Sequence, residues 1–152
     1  MKDQHEPVSL DEYVLRAIPN SYQYYQANLE IPVALAAFQA NRTRDGTGLS
    51  VFRESCFLDS AQAPSIVAHA LPKRGDYYVV RLAVADLKLL SLTVLPDPKQ
   101  DQPLGHALIP ELGYIQYEKN KPKAKEVQRE LAKLASAPGA IRFIPIASRQ
   151  DA

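Results

Sequence analysis

Asp45-Gly46-Thr47-Gly48 puts two glycines into four residues, with Arg42, Arg44 and Arg53 close by in the chain. Glycine lets a bend expose its backbone amides, amides in such a bend can cradle a phosphate, and arginine supplies a bidentate partner for it. The stretch matches neither the phosphate loop of nucleotide hydrolases nor the dinucleotide fingerprint, so a hairpin turn with solvated arginines competes with the anion-binding reading. A second cationic group is denser. Lys119, Lys121, Lys123, Lys125, Arg129 and Lys133 stand against Glu126 and Glu130, a local surplus of four charges. Since the whole chain carries +1, the remainder is near −3 and the protein is polarised. A solvated amphipathic helix and a face for phosphates or an acidic partner are the two readings.

His106, in Gly105-His-Ala-Leu-Ile109 and not far from Asp97, is of the type that moves protons near neutral pH. A satisfied structural imidazole is its default role, and the same holds for His69 in Ala68-His-Ala-Leu-Pro72. Only if both faced one pocket could they share a metal or protons. Cys56 is the sole cysteine, which excludes an intrachain disulfide and a Cys-rich zinc cluster and leaves a small buried apolar residue as its simplest role. Tyr22, Tyr24 and Tyr25 read either as a half-buried strand or loop closing the core edge or as a stacking platform for bases. No cofactor or metal site follows from these residues.

The elements that must position these groups fit one domain. A chain of 152 residues with 46% hydrophobic and 23% charged residues folds around one core, and 12 scattered prolines punctuate short elements. The first residues carry no apolar targeting segment, and no run approaches the ~18 apolar residues a membrane helix needs, so a cytoplasmic setting with no membrane contact is expected.

Ser9-Leu-Asp-Glu12 is a capping box, and Leu10, Tyr13, Val14 and Ala17 at helical spacing predict a short helix ending before Pro19, with a strand over 13–18 as competitor. Val33 to Ala40 is a short apolar run, and Leu49 to Phe57 predicts a strand. Residues 64–70 predict one or two helical turns, and Tyr77 to Val84 the strongest strand, in the middle of a sheet. A short helical connection over 84–88, a strand over 90–95, an apolar stretch over 105–109 and a last strand over 140–146 complete the pattern. Lys123 to Ala135 is a long amphipathic helix, with Val127, Leu131 and Leu134 at i, i+4 and i+7 and Pro138-Gly139 after it. The expectation is α+β: a small mixed sheet, a few short helices and one longer C-terminal helix, with a disordered tail over 1–8, one domain over 9–146 and a frayed tail over 147–152.

Arg16-Ala-Ile-Pro19, Ala37-Phe38, the Asp45 to Val51 stretch, Val94 to Pro98, His106-Ala-Leu-Ile109 and the basic helix together resemble a group of small uncharacterised bacterial proteins. In that group an Arg-x-Ile-Pro start is followed by Ala-Phe, Asp-Gly-x-x-(Leu/Met)-Ser-Val, an Asp-Pro turn, Pro-Ala-His-(Ala/Gly) and a Lys-rich terminal helix. This chain has Leu104-Gly105 in place of Pro-Ala and a longer insertion between Pro110 and Lys119. The resemblance implies a bacterial cytosolic setting and singles out Arg16, Ser50 and His106.

Two functions follow as expectations. The first is a binding protein, a component of a complex with a second subunit or an anionic macromolecule (nucleic acid or an acidic protein), gripping it through Arg42, Arg44, Arg53 and the basic segment 119–133. The second is a small nucleotide- or RNA-directed enzyme of toxin or defence type. There Arg16 or Arg44 would hold phosphate, His106 would move a proton and Ser50 would position a substrate group.

Overall fold

Among the described residues six strands form one sheet in the order β4-β5-β2-β1-β3-β6, where β1 is Tyr13–Pro19, β2 Leu49–Arg53, β3 Tyr77–Ala83, β4 Leu95–Pro96, β5 His106–Ile109 and β6 Ile141–Phe143. The computed structural model describes residues 1–39 and 46–146. Every strand pair is antiparallel, so the fold is α+β as expected, but the sheet is not mixed. Among the described residues four α-helices accompany it: α1 (Ala63–Ala70), α2 (Val84–Leu89), α3 (Tyr114–Lys119) and α4 (Lys121–Ala135).

Both faces of the sheet carry core. Val14 and Ile18 of β1, Leu49 and Val51 of β2, Val80 and Leu82 of β3 and Ala107 and Ile109 of β5 join the main cluster with Val127, Leu131 and Ala135 of α4. The residues between them turn to the other side, as the two-residue period of a strand requires. There Leu15, Phe52 and Val79 meet Ala63, Val67 and Ala68 of α1. α1 lies over β1, β3 and β6, whereas the same face of β4, β5 and β2 is more open: Leu95 is 51% exposed, and Ser50 and Leu108 are half-buried.

Burial on both faces explains the correction at the start of the chain. In place of the short helix expected to end before Pro19 the chain forms β1, the competing strand reading, because Val14 and Leu15 are each fully buried on opposite sides of a strand. A helix on the Leu10, Tyr13, Val14, Ala17 stripe would have rested on Leu10, which is 53% exposed. Half of the capping box is nevertheless built, since Ser9 N donates to Glu12 Oε2 at 2.9 Å, but it closes a turn ahead of the strand. Residues 1–8, expected as a disordered tail, are hydrogen-bonded to the body: Lys2 N donates to Ser55 O at 2.7 Å and Gly105 N to Gln4 Oε1 at 3.3 Å. The strand expected over 90–95 is reduced to Leu95–Pro96, while β3 lies inside the sheet as expected, paired with β1 on one side and β6 on the other. The expected C-terminal tail lies outside the described residues.

The long helix forms as its periodicity demands. Its buried residues, Ala124, Val127, Gln128, Leu131, Ala132 and Ala135, recur at steps of three and four. Asn120 caps its start, Oδ1 accepting from Lys123 N at 3.3 Å, and Pro122 sits in the first turn, where its missing amide costs nothing.

Candidate functional site

The register of β2 on β5 pairs Phe52 with His106 and Ser50 with Leu108, so Ser50 and His106 are diagonal neighbours on one face of the sheet. His106 is only 3% exposed. Its Nδ1 lies 2.8 Å from the backbone oxygen of Asp97 and its Nε2 3.1 Å from Ser50 Oγ. A carbonyl oxygen can only accept, so in the neutral ring Nδ1 carries the proton and Nε2 presents a lone pair to the Ser50 hydroxyl. Asp97 Oδ2 lies 3.1 Å from Nδ1. That oxygen atom is buried and makes no hydrogen bond among the described residues. Lys99 Nζ approaches the same oxygen at 3.7 Å. The Phe52 ring meets the imidazole edge-on, with centroids 5.5 Å apart, and holds its orientation.

Gly105 makes this register attainable. Its φ of +78° turns the chain into β5, Arg53 N donates to its carbonyl at 2.8 Å, and a Cβ there would lie 2.8 Å from Arg53 O.

Arg16, the third residue singled out, is tied to Ser50 but does not share its cleft. It projects on the main-core side with Val14 and Ile18, where Nε donates to Ala37 O at 3.2 Å and Nη1 to Ser50 O at 2.9 Å. The β1–β2 ladder pairs only Val14 with Arg53 and Leu15 with Phe52, and beyond it the Arg16 guanidinium binds the Ser50 carbonyl. Its expected role as a phosphate holder beside His106 is corrected accordingly: guanidinium and imidazole work from opposite faces.

Arg53 is a further correction. Expected as an exposed anion-binding residue, it is wholly buried, with Nε and Nη2 donating to the two Glu12 carboxylate oxygens at 2.9 Å each and Nη1 to Glu6 O at 2.7 Å. Its charge therefore holds the opening segment, β1 and β2 together. Burial alone would raise the Glu12 pKa, but hydrogen bonds from Arg53, Ser55, the Ser9 amide and Lys2 overcome it and hold the carboxyl at about 2. Arg42 and Arg44 lie outside the described residues. The glycine bend packs against the start of α3, where Ile115 N donates to Gly46 O at 3.3 Å.

The basic segment is exposed throughout at Lys119, Lys121, Lys123, Lys125, Arg129 and Lys133. Lys121, Lys125, Arg129 and Lys133 follow one another at i, i+4 and form a single row along α4. Only its ends are paired, Lys121 with Glu118 at 3.6 Å and Lys133 with Glu130 at 3.2 Å. Lys125 and Arg129 have no ion-pair partner among the described residues. On the flank of the helix, a cleft of about 450 Å³ opens between Leu90, Leu92, Leu112 and Val127, with Lys119 and Lys123 at its rim.

The remaining candidates lie apart from the Ser50–His106 pair. Tyr25 stacks on Tyr78 with centroids 3.9 Å apart, Tyr24 packs against the main core, and Tyr22 is exposed. His69 contacts Ser65 O at 2.8 Å and Phe143, partners it does not share with His106. Burial raises the Cys56 thiol pKa, which leaves the thiol protonated and inert. Among the described residues no cluster of His, Cys, Asp or Glu could hold a metal, and no helix is long and apolar enough to cross a membrane. Sequence reasoning missed the Glu12–Arg53 pair, because the capping box already accounted for Glu12, and it missed the cleft, because α2 and α4 are far apart in the chain. Compared with protein-family models, curated proteins and solved structures, the chain matches none.

Proposed function

We propose that this protein binds a polyanionic partner along α4, with a nucleic-acid backbone as the favoured partner and an acidic protein surface as the alternative. The observation that carries the reading is the row Lys121, Lys125, Arg129 and Lys133. Like charges at i, i+4 cost a helix roughly 0.2–0.5 kcal/mol per pair, and this row stacks four in succession on a solvent-facing surface. A merely solvated face has no need of that arrangement. Successive cations rise about 6 Å along the axis and the row spans about 18 Å, a regular spacing suited to a repeating phosphate chain. Arg53 has no part in the contact, and Lys119 and Lys123 extend it toward the N-terminal end of α4. The enzymatic alternative that placed phosphate on Arg16 loses support from the engagement of that guanidinium on the main-core side.

Binding of fluorescent single-stranded and duplex oligonucleotides across a salt series tests the reading. Neutralising about four phosphates gives a slope of log affinity on log salt near −3 to −4. Lys125→Glu should weaken binding and flatten that slope. A salt-independent affinity, or a row variant that binds as the parent does, removes the nucleic-acid reading; binding to an acidic polypeptide but to no oligonucleotide assigns the surface to a protein partner.

A further inference from the structure

We propose that Ser50 is a nucleophile activated by His106, acting on esters with an apolar acyl chain. This proposal is independent of the α4 surface. The contacts favour the neutral tautomer the chemistry requires: Nδ1 lies 2.8 Å from the Asp97 carbonyl, which can only accept, and Nε2 lies 3.1 Å from Ser50 Oγ with its lone pair free to take the hydroxyl proton. A nucleophile, a base within hydrogen-bond reach and a third group orienting the base together distinguish an activated serine from an ordinary one. Asp97 Oδ2, buried and without a hydrogen bond among the described residues, lies 3.1 Å from Nδ1. Lys99 Nζ, 3.7 Å from that oxygen, balances its charge only in part, and a carboxylate oxygen this close to Nδ1 favours the ring further when Nε2 takes a second proton and the ring turns cationic. Asp97 is thus a positioning residue, as is Arg16, whose Nη1 on Ser50 O fixes the backbone under the nucleophile.

The substrate class follows from the surface around Ser50. Leu95 pairs with Leu108 across β4 and β5, and Leu108 pairs with Ser50 across β5 and β2, so the three side chains form one row on the same face. Leu95 is 51% exposed and Leu108 half-buried. At about 4.8 Å per strand this apolar track runs about 10 Å up to the hydroxyl. No cation among the described residues ion-pairs or hydrogen-bonds with Ser50 Oγ, so the track suits a neutral acyl chain of medium length better than a phosphate.

In the reaction the Ser50 proton passes to Nε2 as Oγ bonds to the ester carbonyl carbon. The bond to the leaving alcohol oxygen then breaks, and that oxygen takes the proton from Nε2. Water repeats the sequence on the acyl-serine: its proton goes to Nε2, its oxygen bonds to the acyl carbon, and the Oγ–acyl bond breaks as Ser50 regains a proton. The products are a carboxylic acid and an alcohol, with the protein unchanged.

Labelling of the full chain with a fluorophosphonate, which transfers its phosphonyl group to an activated serine with loss of fluoride, tests the nucleophile. The expected result is one adduct mapped to Ser50, absent in Ser50→Ala and slowed at least 100-fold in His106→Ala, with recovery on addition of imidazole. Ser50→Ala removes a single half-buried oxygen and serves as the folded reference by circular dichroism. No adduct on the parent chain, or equal labelling of a folded Ser50→Ala, overturns the proposal. Hydrolysis of p-nitrophenyl octanoate at least tenfold faster than of the acetate, lost in Leu108→Asn, is expected from the apolar track; equal rates on the two esters overturn the assigned substrate class.

Discussion

At Arg53 a residue read as a surface ligand proves to be among the most deeply placed side chains in the protein. Its guanidinium satisfies both oxygens of Glu12 and reaches the carbonyls of Gln4, Glu6 and Pro7, so five donors in a fixed fork are used almost completely. Removing one partner of such a pair leaves an uncompensated buried charge, and Arg53→Met should cost about 3–5 kcal/mol in urea denaturation. Arg53→Lys should recover only a small part of that loss, because one ammonium cannot span Glu12 and the opening segment together. Residue types and local spacing could not have revealed this role: Glu12 is 41 positions away, and only the pairing of Val14 with Arg53 brings the two together.

Among the elements, α4 combines a strong core face with an outer row that opposes its own stability. Asn120→Ala removes the cap on Lys123 N and should lower stability by about 1 kcal/mol, read as a fall in the thermal midpoint. Lys125→Glu should act in opposite directions on folding and on binding. It exchanges two like-charge neighbours for two attractive ones and so raises stability by a few tenths of a kcal/mol, while polyanion binding falls. That divergence separates a functional row from a structural one. The turn into β5 is equally specific. Gly105→Ala meets both a φ of +78° and the Arg53 carbonyl, and a loss of about 1–3 kcal/mol is expected together with displacement of His106 from Ser50. Slower fluorophosphonate labelling in that variant would register the displacement.

For the molecule as a whole, Glu12 contributes to the acid limit. Its carboxyl sits at about 2 in the folded protein against an ordinary 4.5. The unfolded chain therefore takes up a proton as the pH falls through 4.5, while the folded chain resists until about 2. The stabilisation is complete above about pH 4.5 and is lost toward pH 2, a contribution of about 3 kcal/mol. Urea midpoints measured from pH 7 to 2.5 should fall in that window, and Glu12→Gln should be less stable at pH 7 with a flatter acid limb. An unchanged limb in the variant would place the acid sensitivity elsewhere.

Local pattern by itself determined α4, β3, α2 and the α+β class, because a helix or strand with a strong apolar period and its own stop signals needs no distant partner to be recognised. The short helix expected to end before Pro19 failed for the converse reason: Leu10, Tyr13, Val14 and Ala17 fit a helical stripe, but burial on both faces of β1 was a property of its neighbours. The link from Ser50 to His106 spans 56 positions, the Glu12–Arg53 pair 41, and the open track along Leu95 and Leu108 depends on which half of the sheet α1 leaves uncovered. Those features arise from strand order and register, and register is set by which faces are buried when the whole sheet assembles. Only the tertiary structure could therefore decide which cations point outward, which are locked inside, and which serine meets a histidine.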